Sequence, residues 1–129
     1  LASFLESIRA LYPDLNWHIF LPQNVTLEAD RNMLRQVFIN LTKNAIEAHA
    51  TDIDVRMSQN ERPVLLFSNN GAPIPADVAR EIFIPFFTTK SSGTGIGLSL
   101  SRQMLMMQSI TLSLAEHNVA GYHVTFRME

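Results

Sequence analysis

A glycine-rich segment that continues directly into a helix constrains this chain more than any other part of its sequence. Gly93, Gly95 and Gly97 are each separated by one residue, and the apolar spacing that follows predicts a helix over 96–108. The first turn of a helix leaves backbone N–H groups without partners and lies at the positive end of the helix dipole. Such a helix start is a natural seat for phosphate. The segment therefore predicts a phosphate-binding site.

Neither common phosphate-binding motif is present. A dinucleotide fingerprint, Gly-x-Gly-x-x-Gly, follows a strand and would need its third glycine where Leu98 stands. A Walker A loop ends in Gly-Lys and then Ser or Thr, whereas Lys90 precedes the glycines of this chain. The sequence also has no Gly-x-Ser-x-Gly nucleophile elbow. The predicted phosphate site is therefore of another type.

Composition indicates one globular domain over residues 1–129. The chain is 47% hydrophobic and 17% charged, and a net charge of −2 gives no indication of a nucleic-acid-binding surface. The absence of cysteine excludes disulfides and thiolate metal sites. The 4 histidines have no spacing typical of a metal site. Because the chain does not begin with Met and has no signal-peptide pattern, we expect a domain excised from a longer protein.

Hydrophobic periodicity predicts an uneven alternation of helices and strands. The expected helices lie at 1–11, 31–49, 77–82 and 96–108, and the expected strands at 15–21, 51–58, 62–68, 110–115 and 122–128, with a further short strand at 25–28. Strands that follow strands indicate an α+β fold, with a mixed sheet covered by helices on one face. We expect the core-facing side of the last helix to consist of Ile96, Leu100, Met104 and Met107.

Two asparagines lie at the edge of the apolar stripe predicted for the helix at 31–49. The stripe consists of Leu34, Val37, Phe38, Leu41, Ala45 and Ala48. Asn40 and Asn44 are one turn apart beside it, whereas Lys43 falls on the solvent side. Half-buried amides need hydrogen-bond partners. A single Asn would be expected to bond to nearby backbone. Two of them, in a chain with a predicted phosphate site, favour contact with a ligand or metal, and both interpretations stay open.

A loop rich in turn-forming residues separates the central strands from the glycine-rich segment. Its sequence at 69–75 is Asn-Asn-Gly-Ala-Pro-Ile-Pro, and these residues tolerate positive φ or fix φ. One interpretation is a simple turn. The other is a loop whose backbone closely approaches a flat ligand, with Asn69 at its mouth.

Four blocks, taken together, resemble the catalytic domains of sensor histidine kinases. Residues 34–48 resemble the N box, 69–75 the G1 box, 82–90 the F box and 93–104 the G2 box, in the family's order and spacing. The resemblance implies the Bergerat-type ATP-binding fold of the GHKL superfamily. That fold is a two-layer α/β sandwich with a mixed, mostly antiparallel sheet, shared with type II topoisomerase, heat-shock chaperone and mismatch-repair ATPases.

The resemblance also implies an ATP site with Mg²⁺. Asn44 would coordinate the metal with support from Asn40, and oxygen ligands suit Mg²⁺. Asn69 would accept a hydrogen bond from the adenine amino group. Asn44 and Lys90 would be the catalytic residues, and residues 88–93 would form a lid over the nucleotide. The implied cofactor-binding residues are Asn40, Asn44, Asn69, Gly71, Ile74, Thr89, Lys90, Gly93, Thr94, Gly95, Ile96, Gly97 and Leu98. The aromatic residues Phe83, Phe86 and Phe87 would anchor the lid, and plain core positions fit them equally well.

The sequence departs from the family pattern at several positions. Asn69 stands where the family has Asp. The neutral amide oxygen of Asn would make a weaker hydrogen bond to the adenine amino group than a carboxylate does, by an amount on the order of 1 kcal/mol. Pro73 replaces the second G1 glycine and stiffens the loop. Tyr122 stands where the last strand often has Thr, and its ring would either crowd the base or point away. Glu47 stands where many kinases have Lys.

The implied activity is phosphoryl transfer from ATP to a histidine on a separate dimerisation domain, followed by transfer to a response regulator. Related ATPases carry a Glu where this chain has Asn40, and an amide is no general base, which favours a kinase over an ATPase. Two alternatives remain: a degenerate, non-catalytic interaction module, and a serine kinase of the anti-sigma-factor type. We expect a monomeric cytoplasmic domain that does not autophosphorylate alone, from a homodimeric parent that is anchored to the inner membrane in many relatives.

Overall fold

A computed structural model describes residues 1–22, 29–59, 63–84 and 97–129 as a layer of helices packed on one face of a five-stranded sheet. The helices and strands, in chain order, are α1 (Ala2–Leu11), β1 (Asn16–Phe20), α2 (Arg31–Glu47), β2 (Asp52–Gln59), β3 (Pro63–Asn69), α3 (Ala76–Ala79), α4 (Gly97–Met106), β4 (Leu112–Leu114) and β5 (Val124–Met128). Residues 23–28, which include the predicted strand at 25–28, and residues 60–62 and 85–96 lie outside the described residues.

The sheet is mixed and mostly antiparallel, as the sequence predicts. Its strand order is β1-β2-β3-β5-β4, and β1 and β2 are its parallel neighbours. The other pairs, β2 with β3, β3 with β5 and β5 with β4, are antiparallel. Because side chains alternate between the faces of a strand, Trp17, Ile53, Phe67 and Phe126 share the inner face, which the helices cover.

The helices bury one stripe each against that inner face. The α1 helix contributes Phe4, Leu5 and Ile8, which are buried. Phe4 packs edge-on against Phe38 of α2, with 5.7 Å between ring centroids, and Phe38 packs on Phe67 of β3 at 5.8 Å. The stripe predicted for α2 is confirmed, since its members are buried except for the half-buried Ala48. Both layers therefore close on a single core.

Helix α2 has well-defined caps at both ends. At the start, the Asp30 carboxylate accepts a hydrogen bond from the Met33 N–H at 3.0 Å, as expected for an N-cap. At the end, His49 adopts a left-handed conformation with φ of 63°. The N–H of Ala50 then donates to the Ala45 carbonyl at 2.9 Å, and the N–H of His49 to the Ile46 carbonyl at 3.0 Å, which is the Schellman pattern. The chain leaves α2 in a fixed direction.

The core-facing side predicted for the last helix is wrong at Leu100, which is 43% exposed, and at Met107, which follows the end of α4 and is 75% exposed. Met104 does pack against the core, and Ile96 lies outside the described residues. The fully buried residues of α4 are instead Ser101 and Leu105. Gly97, Ser101 and Leu105 are four residues apart and so share one helix face. Asn40 of α2 donates hydrogen bonds to Gly97 and Ser101 on this face. The core-facing side of α4 therefore combines these hydrogen bonds with the burial of Leu105.

The outer face of the sheet carries a polar cluster. The Asp54 carboxylate is 1% exposed and accepts two hydrogen bonds from Arg56, from Nε at 2.7 Å and from Nη2 at 3.1 Å. Ser68 and Thr125 are also fully buried and bond to each other at 2.8 Å. The connection between β4 and β5 lies over this cluster, because the Val119 N–H donates to the Thr125 hydroxyl at 3.3 Å. In the described ranges, every buried side-chain nitrogen and oxygen has a partner.

None of the helices in the described ranges combines the length and the apolar character needed to cross a bilayer.

Candidate functional site

Three parts of the fold bring the predicted site residues together. Asn40 and Asn44 lie on α2, the loop 69–75 follows β3, and Gly97 and Leu98 begin α4. The other predicted members lie outside the described residues: Thr89, Lys90, Gly93, Thr94, Gly95 and Ile96, together with the aromatic positions Phe86 and Phe87. The predictions for those residues remain untested.

Asn69 is a polar side chain on the otherwise apolar inner face of the sheet. It pairs with Ile53 on one side and Val124 on the other, and it is 2% exposed. Its side-chain Oδ1 accepts a hydrogen bond from the Gly71 N–H at 2.9 Å, and its backbone carbonyl accepts one from the His123 N–H at 3.1 Å. The amide is therefore held in one orientation at the end of β3.

Gly71 is required here for space and not for an unusual backbone angle. A Cβ atom at this position would lie 2.8 Å from the Ala48 Cβ, 2.9 Å from the Ala48 carbonyl oxygen and 2.9 Å from the Asn69 Oδ1. The loop presses on the end of α2, where the Ala72 N–H donates to the same Ala48 carbonyl at 2.9 Å. The Schellman end of α2 thus provides the surface on which the loop rests.

Asn70 attaches the loop to the start of β2. Its Oδ1 accepts hydrogen bonds from the Thr51 N–H at 2.9 Å and from the Asp52 N–H at 3.0 Å, and its Nδ2 donates to the Thr51 hydroxyl at 2.9 Å. This is the use of an Asn side chain to complete backbone hydrogen bonding at a turn. The two asparagines of the loop therefore have different tasks, because Asn70 holds the loop while Asn69 faces the core.

His123 is a positioning residue that the sequence did not predict. Its Nδ1 lies 3.0 Å from the carbonyl oxygen of Gly71. A carbonyl only accepts, so Nδ1 carries the proton of this bond. Together with the bond from its backbone N–H to Asn69, His123 clamps the loop from the side of β5. No local signal in the sequence linked His123 to a loop 52 residues away.

Removing the His123 clamp is expected to weaken nucleotide binding. In His123→Ala the loop loses one hydrogen bond, worth about 1 kcal/mol, and we expect about fivefold weaker binding of an ATP analogue by titration calorimetry. In His123→Asn the side-chain Nδ2 takes the place of Nδ1 and donates to the same carbonyl, so affinity should be close to that of the wild type. Equal losses in the two variants would contradict the assigned bond.

Asn40 joins α2 to the first turn of α4. Its Nδ2 donates to the Gly97 carbonyl at 3.3 Å and to the Ser101 hydroxyl at 3.0 Å. The Ser101 hydroxyl in turn donates to the Gly97 carbonyl at 2.8 Å. The Asn40 Oδ1 accepts a hydrogen bond from Gln36 at 3.1 Å. Asn40 thus holds the start of α4, where the phosphate seat is predicted, and its contribution to a metal site remains a prediction.

Asn44 follows one turn later on the same flank of α2 and is half-buried. In the described ranges no three residues among His, Cys, Asp and Glu form a group that could hold a metal ion. A divalent cation at this site would therefore depend on amide oxygen, water and the phosphates of a ligand, which is an acceptable ligand set for Mg²⁺.

Apolar side chains line the neighbourhood of these polar groups. Ile74, Leu98 and Phe83 are partly buried and pack against the core. The guanidinium of Arg102 on α4 lies 4.7 Å from the centroid of the Phe83 ring, a cation–π contact that connects α4 with the segment after α3. Phe83 therefore packs both against the core and beside α4.

Tyr122 interacts with the acids of the outer face. Burial raises the pKa of the Tyr122 hydroxyl, and the nearby carboxylates Asp54 and Asp52 raise it further. Hydrogen bonds from Thr51, His18 and Asn16 lower the pKa of Asp52. The hydrogen bonds that Arg56 donates to Asp54 raise the pKa of Arg56. The Tyr122 hydroxyl therefore lies within electrostatic range of these carboxylates.

Sequence comparison matches the chain to one family and to several curated kinases. The family model described as histidine kinase-, DNA gyrase B- and HSP90-like ATPase matches residues 29–129. Signal transduction histidine-protein kinase AtoS of Escherichia coli (strain K12) is 33% identical over 106 residues, covering 79% of this chain and 17% of that protein. Sporulation kinase A of Bacillus subtilis (strain 168) is 33% identical over 101 residues, with 76% and 17% covered. This chain spans about a sixth of the length of these curated relatives, 17% in each case.

Solved structures match the described fold over nearly the whole chain. The nucleotide-free catalytic domain of histidine kinase ThkA gives a TM-score of 0.83 at 29% identity, with 99% of this chain and 90% of that chain covered. ThkA in complex with response regulator protein TrrA gives a TM-score of 0.75 at 26% identity, with 99% and 39% covered. These similarities confirm the predicted two-layer α+β sandwich.

Proposed function

We propose, from the premise that this chain belongs to the family of histidine kinase-, DNA gyrase B- and HSP90-like ATPases, that it is the ATP-binding catalytic domain of a two-component histidine kinase. The predicted resemblance to sensor histidine kinases is confirmed by the family match and the similar kinases. The observation that carries the proposal is the convergence of α2, the loop 69–75 and the start of α4, joined by the hydrogen bonds of Asn40 and the contacts of Gly71.

Each part of the site has a proposed task in binding ATP and Mg²⁺. The loop beside Asn69 and Gly71 would receive the base, with Ile74 packed near it. The N–H groups of residues 93–98 and Lys90 would hold the phosphates. Asn44 would ligate Mg²⁺, which neutralises the charge that develops on the phosphates during transfer. The bond between the γ-phosphorus and the bridging oxygen breaks, a bond to a histidine nitrogen forms, and ADP leaves.

The contacts of Asn40 support a kinase rather than a hydrolase. A hydrolase needs a base that takes a proton from the attacking water, and Asn40 has no carboxylate to do so. Its amide group is engaged instead by Gly97, Ser101 and Gln36. With no activating base at that position, the incoming nucleophile would be a histidine imidazole, which attacks without such assistance.

The phosphate acceptor and the signalling partners are proposed to lie outside this chain. We place the acceptor histidine on a dimerisation domain of the same parent protein, and we expect a response regulator downstream, since ThkA has been solved with one. The parent would be a homodimer that is anchored to a membrane in many relatives, with this domain on the cytoplasmic side as a monomer. The chain alone would bind nucleotide without autophosphorylation.

Titration calorimetry with a non-hydrolysable ATP analogue, with and without Mg²⁺, tests the proposal. We expect saturable binding by the wild type that weakens without Mg²⁺. In Asn44→Ala we expect about tenfold weaker binding in the presence of Mg²⁺, because one metal ligand is lost, and little further change without the metal. The matched control is Lys43→Ala, an exposed neighbour on α2, which should bind as the wild type does.

The same titration separates the two asparagines of α2. If Asn40 only positions α4, then Asn40→Ala weakens binding equally with and without Mg²⁺, whereas a second metal ligand would show the dependence expected for Asn44. No binding of the analogue by the wild type, even at millimolar concentration, would contradict the kinase proposal. That result would favour the non-catalytic interaction module and direct attention to protein partners.

A further inference from the structure

We infer that Ser101 is a positioning residue of the nucleotide site, because its hydroxyl and the Asn40 amide together hold the first peptide group of α4. The inference rests on the proposed nucleotide-binding function. It adds a residue that is absent from the site residues implied by the family resemblance, and it depends on a closed set of hydrogen bonds between α2 and α4.

Three polar groups form a triangle between α2 and the first turn of α4. The Ser101 Oγ lies 2.8 Å from the Gly97 carbonyl oxygen. The Asn40 Nδ2 lies 3.0 Å from the Ser101 Oγ and 3.3 Å from the same carbonyl oxygen. Asn40 and Gly97 are half-buried, whereas Ser101 is fully buried. The Ser101 hydroxyl is therefore shielded from water and bonds to these two groups.

The direction of each bond follows from what each group can donate. A backbone carbonyl only accepts, so the Ser101 hydroxyl gives its hydrogen to Gly97. The Ser101 oxygen then accepts one of the two hydrogens of the Asn40 Nδ2, and Gly97 accepts the other. The opposite end of the Asn40 amide, Oδ1, accepts a hydrogen bond from Gln36 at 3.1 Å. These partners give the Asn40 amide a single orientation.

The triangle fixes the direction of a peptide group at the start of α4. The Gly97 carbonyl and the Leu98 N–H belong to one planar, trans peptide unit and point in opposite directions. Holding the carbonyl therefore also sets the direction of the Leu98 N–H. The first turn of a helix leaves such N–H groups without intrahelical partners, and the proposed site uses those of residues 93–98 for phosphate. Hydrogen bonds on the carbonyl also polarise the N–H of the same unit.

A buried hydroxyl elsewhere in the helical layer shows what Ser101 would be without this role. Serine and threonine in helices often bond to the carbonyl four residues earlier. Thr42 of α2 is fully buried, and its hydroxyl donates to the Phe38 carbonyl at 2.7 Å. That bond lies in the middle of α2, whereas the bond of Ser101 is to the first residue of α4 and is shared with Asn40. Thr42 is therefore a matched control.

The test is titration calorimetry of the non-hydrolysable ATP analogue with Ser101→Ala and Thr42→Val. Ser101→Ala leaves one hydrogen of the Asn40 amide without its acceptor, in a residue type that favours helix. We expect about fivefold weaker binding, the effect of one hydrogen bond. The factor should be the same with and without Mg²⁺, because Ser101 acts on the backbone of α4. Thr42→Val should bind as the wild type does, and circular dichroism establishes that both variants are folded.

A double-variant cycle with Asn40→Ala tests whether the two side chains act as a unit. The hydrogen bond between Asn40 and Ser101 is lost in each single variant, so it is counted twice when the two losses are multiplied. The affinity loss in the double variant should therefore be smaller than the product of the two single losses. A loss equal to that product would overturn the assigned triangle.

The outcomes separate this inference from the proposed function. Wild-type affinity in Ser101→Ala overturns the role of Ser101 and leaves the nucleotide site in place. Equal losses in Ser101→Ala and Thr42→Val also overturn it, since the removal of any buried helix hydroxyl would then be sufficient. A loss that appears only with Mg²⁺ overturns it as well, because the effect would then depend on the metal. Absence of binding by the wild type overturns the proposed function, and this role of Ser101 with it.

Discussion

Gly71→Ala is expected to abolish most nucleotide binding. The added Cβ would lie within 2.9 Å of the Ala48 carbonyl oxygen and of the Asn69 Oδ1, and 2.8 Å from the Ala48 Cβ. Two of these atoms belong to Ala48 at the end of α2 and the third to the fixed Asn69 amide, so the loop must move. Overpacking of this kind costs about 2 kcal/mol of stability. Displacing the loop that would receive the base should leave polar groups of the site poorly paired, and we expect ATP binding weaker on the order of a hundredfold, measured by calorimetry.

A second glycine controls for the addition of a methyl group as such. Among the described residues, the nearest neighbour of a Cβ at Gly97 would be the Asn40 Cγ at 3.9 Å, an ordinary contact distance. Gly97→Ala should therefore keep the wild-type free energy of unfolding in urea, while Gly71→Ala loses about 2 kcal/mol. Wild-type stability and affinity in Gly71→Ala would show that the loop does not rest on α2 as described.

Long, regular periodicity made the helical layer and the sheet predictable. The stripe of α2 and the alternation around Trp17 in β1 were both confirmed, because burial of apolar side chains dominates where the pattern is clear. The face of α4 was not predictable in this way. Its large apolar residues favoured one side, but the hydrogen bonds of Asn40 to Gly97 and Ser101 favoured another, and a pairing between distant elements leaves no periodic signal.

The candidate site was predictable only in its local parts. The turn composition at 69–75 pointed to a loop, and the resemblance pointed to Asn69 and Gly71. The clamp by His123 depends on β5 pairing beside β3, a contact between residues 52 positions apart. The orientation of the Asn69 amide depends on the path of the loop to Gly71. Both follow from tertiary structure, so composition and spacing could not reveal them.

The two faces of the sheet have separate physical roles. The inner face positions the loop and α2 around the candidate site, while the outer face buries a polar cluster under the connection between β4 and β5. A substitution on the outer face should therefore change stability and leave nucleotide affinity in the folded protein nearly unchanged. Gly71→Ala should show the opposite balance, with a large loss of affinity for a moderate loss of stability.

Arg56→Ala is expected to be the most destabilising of the substitutions considered. It leaves the Asp54 carboxylate, which is 1% exposed, without the two hydrogen bonds that Arg56 donates at 2.7 and 3.1 Å. An uncompensated buried charge costs about 3–5 kcal/mol. The Arg56 side chain is 47% exposed, so water can reach the Asp54 carboxylate once that side chain is removed. We therefore expect the free energy of unfolding in urea to fall by about 3 kcal/mol, the lower end of this range.

Arg127→Ala provides a closely matched control for that measurement. Arg127 and Glu129 are also two residues apart at β5, their ion pair is also 2.7 Å long, and the arginine side chain is 45% exposed. The difference lies in the carboxylate, which is 35% exposed in Glu129 and 1% exposed in Asp54. Because exposed pairs contribute about 1 kcal/mol or less, Arg127→Ala should lose at most that amount. Equal losses in the two variants would mean that the burial of the Asp54 carboxylate does not determine the strength of the pair.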